Sequence, residues 1–469
     1  MSDREGTAFI KALGRWDTIA VGFGAMIGFG WVVLVGGWLE DAGTLGAALA
    51  FVAGGLVMTL VGLAYAELVA AMPRAGGEHN YALRAMGSRP AFVTSWAIVL
   101  GYVSVVAFEA VALPQTVLYL APDMLAGRLW SVAGYDVYAT WALVGVVGAV
   151  LITAINYIGI RPASVAQTIA VAFLLFVGLV LLTGMFVGGE AHHFEPWFAG
   201  GLAGFVSVLV ATPFLFVGFD VIPQSAEEID LPHRQVGKLL VVSVLMATAF
   251  YVVVVLSVSS ALPHGELAAA ELAAADGMTA LWDTPVMGTL LILGGIAGIL
   301  TSWNGFLIGA SRIIYAMAES GMLPRWFAYV HPRYRTPTHA ILVIGGLSVI
   351  APLFGRQMLV WLVDAGGINI VVAFLLVSLS FLVLRRREPD MPRPFRVPAG
   401  PVVGWAAVVL SLGLAVLYLP GMPAALAWPA EWTIVGIWWI VGLWFVLRLP
   451  RVGAGPQAEE RLMEATARR

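Results

Sequence analysis

A single carboxyl group, that of Glu109, stands in a long apolar stretch of this sequence. Residues 90–108 and 110–122 contain no Asp, Glu, Lys or Arg. A charged side chain costs about 2.5 to 3.5 kcal/mol at the centre of a membrane helix, and such residues pair with ligands, ions or one another. We predict that Glu109 is a charged switch, either as the counter-ion of a substrate ammonium or as a proton acceptor. The alternative is a structural hydrogen bond to a neighbouring helix.

Two other apolar stretches carry residues that interrupt helices. The first is GAMIGFG (24–30), and the second is TPFLFVGFDVIPQSAEE (212–228). Each glycine weakens a helix by about 1 kcal/mol relative to alanine. A broken helix exposes free N–H and C=O groups, which transporters use to bind substrate at the bilayer midplane. The alternative is that the glycines only allow close helix packing. Asp220, at the second break, is predicted to cap the following half-helix, to take part in proton coupling, or both.

These residues lie in a chain built for a membrane. It has 469 residues, of which 60% are hydrophobic and 11% charged, whereas soluble domains carry about 25% charged residues. A bilayer needs about 20 apolar residues per helix. The sequence therefore predicts an all-α polytopic membrane protein with about twelve transmembrane helices, here called spans 1 to 12. They are expected near 17–38, 43–71, 91–120, 137–160, 163–187, 201–222, 236–262, 285–318, 338–354, 357–384, 401–419 and 428–448.

The distribution of basic residues predicts the orientation. If both termini are cytoplasmic, all of the 25 Lys and Arg except Arg128 and Arg356 fall on the cytoplasmic side, as the positive-inside rule requires. The first apolar run is too long for a signal peptide. We expect a multi-pass protein of the cytoplasmic membrane. The absence of Cys removes disulfides and thiolate sites.

The two interrupted spans lie five helices apart, in corresponding positions of two halves. Such pairs indicate an inverted repeat, so we predict a 5+5 core with broken spans 1 and 6, followed by two further helices. The expected organisation is a cytoplasmic N-terminal segment (1–16), the core (17–384), a basic cytoplasmic loop (385–400), spans 11 and 12 (401–448) and a cytoplasmic tail (449–469).

Four segments of the chain resemble the amino acid, polyamine and organocation (APC) superfamily of permeases. They span about residues 15 to 385 in the family's order. They are GAMIGFG (24–30), AYAELVAAMPRAGGEHNYALRAMG (64–87), FVGFDVIPQSAEEIDLPHRQVGK (216–238) and SRIIYAMAESGMLPRWFAYVHPRYRTPTHA (311–340). The resemblance implies a secondary transporter that works by alternating access on amino acids or related amines, by cation-coupled symport or substrate exchange.

The resemblance also implies where substrate binds. The lining would come from the break in span 1, from the break in span 6, and from one aromatic residue of span 8. Phe214 and Phe306 are expected as aromatic gates. The residues implied by the resemblance are Ala25, Phe29, Gly30, Phe214, Val217, Gly218 and Phe306. The glycine break adds Gly28, and the isolated charge of span 3 adds Glu109.

The sequence departs from the family pattern at two places. Phe29 replaces a common Ser, which removes a hydroxyl donor for a substrate carboxylate. The usual Lys of span 5 is absent, and Leu174 aligns with it. Without that Lys, a cation held between spans 1 and 8 becomes a candidate, and all-oxygen ligation suits sodium. Its ligands would be carbonyls near Gly24 and Ile27 and hydroxyls of Thr301 and Ser302. Alternatively, these hydroxyls bond to their own helix.

Other functions find less support in the sequence. No cluster of catalytic polar residues, phosphate loop or nucleophile elbow is present, so no enzyme and no cofactor is expected beyond a coupling proton or sodium ion. His192 and His193 suggest a solvated loop and not a metal site. The expected partners are an amino acid or amine substrate and the lipid bilayer, without nucleic acid, in a monomer or homodimer. The alternatives are an amine or polyamine permease that does not recognise a carboxylate or, further off, a transporter-like sensor or a channel.

Overall fold

The structure is a computed structural model that describes residues 9–422 and 424–467. The first half of the predicted N-terminal segment therefore lies outside the described residues. The helices that form the spans are Arg15–Met26, Gly30–Val33, Val35–Ala71, Ser88–Leu120, Ala139–Ile158, Ile160–Val187, Gly201–Phe216, Val221–Gln224, His233–Ser259, Pro285–Glu319, Thr338–Ile350, Met358–Arg387, Gly400–Val416 and Ala430–Arg448.

Twelve spans are present in the described part of the chain. Nine helices there are long and apolar enough to cross a membrane, and two more, Thr338–Phe354 and Gly400–Val416, are shorter. The twelfth is the broken span 1, whose outer part runs on into the long helix Val35–Ala71. Gly43 (φ 72°, ψ 173°) interrupts that helix and separates span 1 from span 2. The predicted all-α polytopic fold with broken spans 1 and 6 is confirmed.

Span 3 lies at the centre of the bundle, and span 12 lies at its edge. In the most apolar stretch of span 3 (Ser88–Leu120), 94% of the residues are buried inside the protein. In the corresponding stretch of span 12 (Ala430–Arg448), only 11% of the residues are buried. Because span 3 is enclosed on all sides, Glu109 faces protein and not lipid. The peripheral position of span 12 fits a helix appended to a ten-helix core.

The connections contain structure that the sequence pattern did not predict. Strands β1 (Arg128–Val132) and β2 (Tyr135–Tyr138) form an antiparallel hairpin between spans 3 and 4. Two short helices, His264–Ala269 and Ala273–Trp282, join spans 7 and 8. A loop helix, Glu78–Met86, joins spans 2 and 3. The tail forms a last helix, Ala458–Ala467, and the remaining one-turn helices are Pro122–Met124, Ala191–Phe194, Ala226–Glu228, Arg325–Ala328 and Ala351–Phe354.

Both described ends of the chain lie at the same end of the bundle, here called the terminal end. The Leu13 N–H donates to the Glu228 carbonyl (2.9 Å). The C-terminal part of the chain is attached at the same end, where the Ser88 hydroxyl donates to the Pro450 carbonyl (2.7 Å). The fully buried Arg312 guanidinium binds both carboxylate oxygens of Glu228, at 2.9 and 2.8 Å. This ion pair ties span 8 to the segment that follows span 6.

Candidate functional site

The break in span 1 leaves three residues, 27 to 29, outside the two helical halves. The helix ends at Met26, and the next half begins at Gly30. The Tyr251 hydroxyl from span 7 donates to the Met26 carbonyl (2.9 Å) and also lies 3.1 Å from the Leu215 carbonyl of span 6. One buried side chain therefore satisfies a freed carbonyl at each of the two breaks.

The break in span 6 packs directly against the break in span 1. Gly218 has a φ of +132°, which side chains rarely adopt, and a Cβ there would lie 2.7 Å from backbone atoms of Ala25 and Met26. The Asp220 carboxylate accepts hydrogen bonds from the Gly218 N–H and from the Tyr102 hydroxyl, both at 2.7 Å. Asp220 thus satisfies an amide within the break. Its side chain makes no cap hydrogen bond to the following helix Val221–Gln224, so the predicted cap is wrong, because the carboxylate turns back to Gly218; a role in proton coupling stays a prediction.

A small cavity lies where these breaks meet spans 3, 7 and 8, with a volume of about 20 Å³, which is room for about one water molecule. Seven of the nine predicted substrate residues line it. The exceptions are Val217 and Gly218, which form the break but do not reach the cavity wall. The lining residues are Ala25, Met26, Gly28, Phe29, Gly30, Val105, Phe108, Glu109, Phe214, Leu215, Tyr251, Ser302 and Phe306.

Glu109 supplies the charge of this cavity. Its side chain is buried, and the Ser302 hydroxyl and the Phe29 N–H lie beside its carboxyl group. The second oxygen, Oε2, has no hydrogen-bond partner among the described residues. The cavity wall contains no Lys, Arg or His. The site therefore presents one carboxyl oxygen without a described partner to a ligand, among mostly apolar and aromatic walls.

Phe214 and Phe306, the two aromatic residues that the resemblance implied for this site, line the cavity wall. Phe214 meets Phe108 edge to face, with ring centroids 5.8 Å apart. Phe306 lies against Tyr102, with centroids 5.3 Å apart. Gly28 provides the space between them and Glu109, because a Cβ at this position would overlap Oε1 of Glu109.

The predicted cation site between spans 1 and 8 contains a neutral amide. The Gln167 side chain of span 5 donates to the carbonyls of Ala20 (3.1 Å) and Thr301 (2.9 Å). Its oxygen accepts from Asn304 (2.8 Å). The Thr301 hydroxyl donates to Gly298 of its own helix (2.9 Å), which was the alternative considered. The sodium site near Gly24, Ile27, Thr301 and Ser302 stays a prediction.

Sequence reasoning missed two residues of this region. Tyr251 lies in an apolar run, where an aromatic residue is normally interpreted as a packing residue. Gln167 lies seven residues before Leu174, the position aligned with the family's Lys. A polar group inside an apolar span was the available signal. Outside the site, ligand atoms of Glu190, His192 and His193 lie within 4.8 Å of one another in the loop between spans 5 and 6. They could hold a metal ion, so the prediction of no metal site also stays a prediction.

The fold and the cavity define a class, that of polytopic membrane transport proteins with a site between broken helices. A family model described as amino acid permease matches residues 13–445. The chain belongs to this family, and the resemblance to the APC superfamily is confirmed.

The relatives that were found differ in what their names say they carry. A branched-chain amino acid permease of Bacillus subtilis (strain 168) is 28% identical over 439 residues, which cover 91% of each chain. A methylthioribose transporter of the same bacterium is 26% identical over 440 residues, 91% of this chain and 92% of the relative. Its aspartate-proton symporter is 26% identical over 420 residues, 84% of this chain and 77% of the relative. All three names describe transport.

Proposed function

We propose that this permease is a secondary active transporter that carries an amino acid or a small organic amine across the cytoplasmic membrane by alternating access. The observation that carries the proposal is the Glu109 oxygen that has no partner among the described residues, in a cavity between two broken helices. A buried charge without a partner is costly, and a bound ammonium would supply that partner. The basic loops support an orientation in which the terminal end faces the cytoplasm.

The polar groups of the site favour binding of a substrate's ammonium group over binding of its carboxylate. Glu109 already lies beside the Phe29 N–H at the start of the second half-helix. A substrate carboxylate would have to share this helix N-terminus with Glu109, using free amides near Gly30, where the partial positive charge favours anions. The apolar remainder of the wall fits an uncharged side chain.

A second candidate substrate class is an amine without a carboxylate. Two features favour it. Phe29 stands where many family members have a Ser, and the cavity wall has no basic side chain to pair with a carboxylate. Binding assays with matched pairs, each an amino acid and its decarboxylated amine, distinguish the two classes.

Uptake into proteoliposomes tests the proposed function. Purified protein is reconstituted, and labelled amino acids and amines are offered with an imposed proton gradient, an imposed sodium gradient, or an excess of internal substrate. We expect saturable uptake of at least one amino acid or amine in one of these arms. Empty liposomes and the Gly28→Leu variant serve as controls. Uptake of no amino acid or amine in any arm would contradict the proposal.

A further inference from the structure

A second buried acid lies outside the substrate cavity. Glu78 begins the loop helix Glu78–Met86 and is completely buried. One of its oxygens, Oε2, accepts a hydrogen bond from the Gln224 amide. The other, Oε1, has no partner among the described residues. The substrate site described above makes no use of this carboxyl group.

Glu78 belongs to a group of buried polar side chains that we call the acid cluster: Tyr65, Glu78, Tyr102, Asp220 and Gln224. They come from four elements, namely span 2, the loop helix, span 3 and span 6. Tyr102 donates to Asp220 (2.7 Å), and Tyr65 lies within electrostatic reach of both carboxyl groups. All five side chains are buried.

No cation faces Glu78 among the described residues. The titratable groups around it are Asp220 from span 6, Tyr65 from span 2, Tyr102 from span 3 and Tyr81 from its own helix. None of these carries a positive charge. In the neighbouring His79, the ring nitrogen Nδ1 lies 3.3 Å from the Ser95 hydroxyl.

The other buried acids of the terminal end are arranged differently. Glu228 is paired with the buried Arg312, and Glu67 is paired with Arg385 and Arg393. Each of these two carboxyl groups therefore has an arginine as its ion-pair partner. Glu78 has a side-chain amide in place of an arginine, although it is buried as deeply.

The acid cluster lies between the cavity and the terminal end. Tyr102 packs against Phe306, which lines the cavity. On the opposite side, the Gly76 N–H donates to the Gln224 carbonyl (3.3 Å), so the start of the loop helix is docked on the second half of span 6. A path from the cavity to the terminal end therefore requires these contacts to separate, and their separation would admit water to Glu78.

We propose that Glu78 is a proton carrier of the transport cycle, which holds a proton while the terminal end is closed and releases it when the loop helix leaves span 6. Burial and the nearby Asp220 carboxylate raise the pKa of Glu78 well above its ordinary value, because a desolvated carboxyl group favours its neutral form. Hydration on opening removes this penalty. The inference rests on the proposed function, since a carrier needs a cycle.

The first test separates proton coupling from exchange. Glu78→Gln keeps an acceptor for Gln224 but cannot lose a proton. In proteoliposomes we expect Glu78→Gln to lose accumulation driven by a proton gradient while keeping exchange of labelled for unlabelled substrate. The matched control is Glu227→Gln, at the same end, whose carboxylate accepts the Ala75 N–H (3.2 Å) and which should keep both activities. Gradient-driven accumulation at the wild-type level in Glu78→Gln would overturn the proposal.

The second test does not depend on transport. Infrared spectra of the purified protein at neutral pH should show a protonated-carboxyl band that is weaker in Glu78→Gln and unchanged in Glu227→Gln. An unchanged band in Glu78→Gln would overturn the proposal, even if that variant were inactive for other reasons. Failure of the wild type to carry any substrate would instead count against the proposed function, and the infrared comparison would still report on Glu78.

Discussion

The cavity depends on the absence of a side chain at residue 28. A Cβ there would overlap Oε1 of Glu109 and lie 3.0 Å from the Ser302 hydroxyl. Both neighbours are side-chain atoms that line the cavity, so a Cβ at residue 28 would displace the Glu109 carboxyl group from its position. A glycine at this position is therefore a requirement of the site and not only of the helix break.

We expect Gly28→Ala to weaken substrate binding strongly. Overpacking costs about 1 to 3 kcal/mol, and this cost, when it falls on the bound state, corresponds to about a fivefold to 150-fold loss of affinity. The matched control is Gly37→Ala, in the outer half of span 1, where a Cβ meets nothing within 4 Å. Binding of labelled substrate to purified protein measures both. Wild-type affinity in Gly28→Ala would show that ligand does not bind at this cavity.

A second residue-scale prediction concerns charge. A proton and a substrate ammonium compete for the Glu109 carboxylate, so affinity for a cationic substrate should rise with pH through the pKa of Glu109 in the free carrier and level off above it. Glu109→Gln keeps the shape, and it should remove most of this dependence together with most of the binding. To check this prediction, substrate affinity is measured across a pH series in the wild type and in Glu109→Gln. The control is Glu40→Gln, at an exposed position. An unchanged pH profile would make Glu109 structural and Asp220 the next residue to test.

At the scale of elements, the two breaks are held as one unit. Tyr251 joins Met26 of span 1 to Leu215 of span 6 through a single hydroxyl, and Gly218 packs on the backbone of span 1. The two broken spans therefore cannot shift independently near the cavity. Movement of one break should carry the other with it.

Tyr251→Phe tests this connection. The variant removes the shared hydroxyl and leaves two buried carbonyls without that donor, which costs about 1 to 3 kcal/mol. We expect a lower melting temperature and weaker substrate binding. Tyr329→Phe, at an exposed position outside the spans, should change neither. If Tyr251→Phe binds and melts as the wild type does, the breaks are held together by packing alone.

Span 5 shows how an element can be predicted correctly while its polar contact is not. The sequence predicted the helix and the absence of Lys. It did not identify Gln167, because a neutral amide in an apolar span gives little signal until its partners are known. Those partners, the carbonyls of Ala20 and Thr301, belong to spans 1 and 8. Only packing of the three helices brings the groups together.

At the scale of the whole molecule, ion pairs at the terminal end differ sharply in burial. Arg312 and Glu228 are each 1% exposed, whereas the Arg74 side chain, paired with Glu459 of the tail helix, is 47% exposed. Removing one partner of a buried pair leaves an uncompensated charge, while a surface pair is screened by water.

We expect Arg312→Met to destabilise the protein by about 3 to 5 kcal/mol, and Arg74→Ala to change stability by about 0 to 1 kcal/mol. Thermal unfolding in detergent, followed by the loss of the monodisperse species, compares the two variants. The double variant Arg312→Met with Glu228→Leu should recover part of the loss, because it leaves no unpaired charge. Equal melting temperatures for Arg312→Met and Arg74→Ala would contradict this account.

The sequence by itself determined the membrane class, the twelve spans, the two breaks and the isolated Glu109. Each depends on local composition: an apolar run long enough to cross a bilayer, a cluster of Gly and Pro within it, or one charge where none is expected. The tertiary structure decided which polar groups are satisfied and by what. Glu67 and Glu78 look alike in the sequence, but folding gives one of them two arginines and the other an amide. The partners of Tyr251 and Gln167 were likewise decided by the tertiary structure. The partners of a buried polar group come from helices that are far away in the chain, so a local sequence pattern cannot identify them.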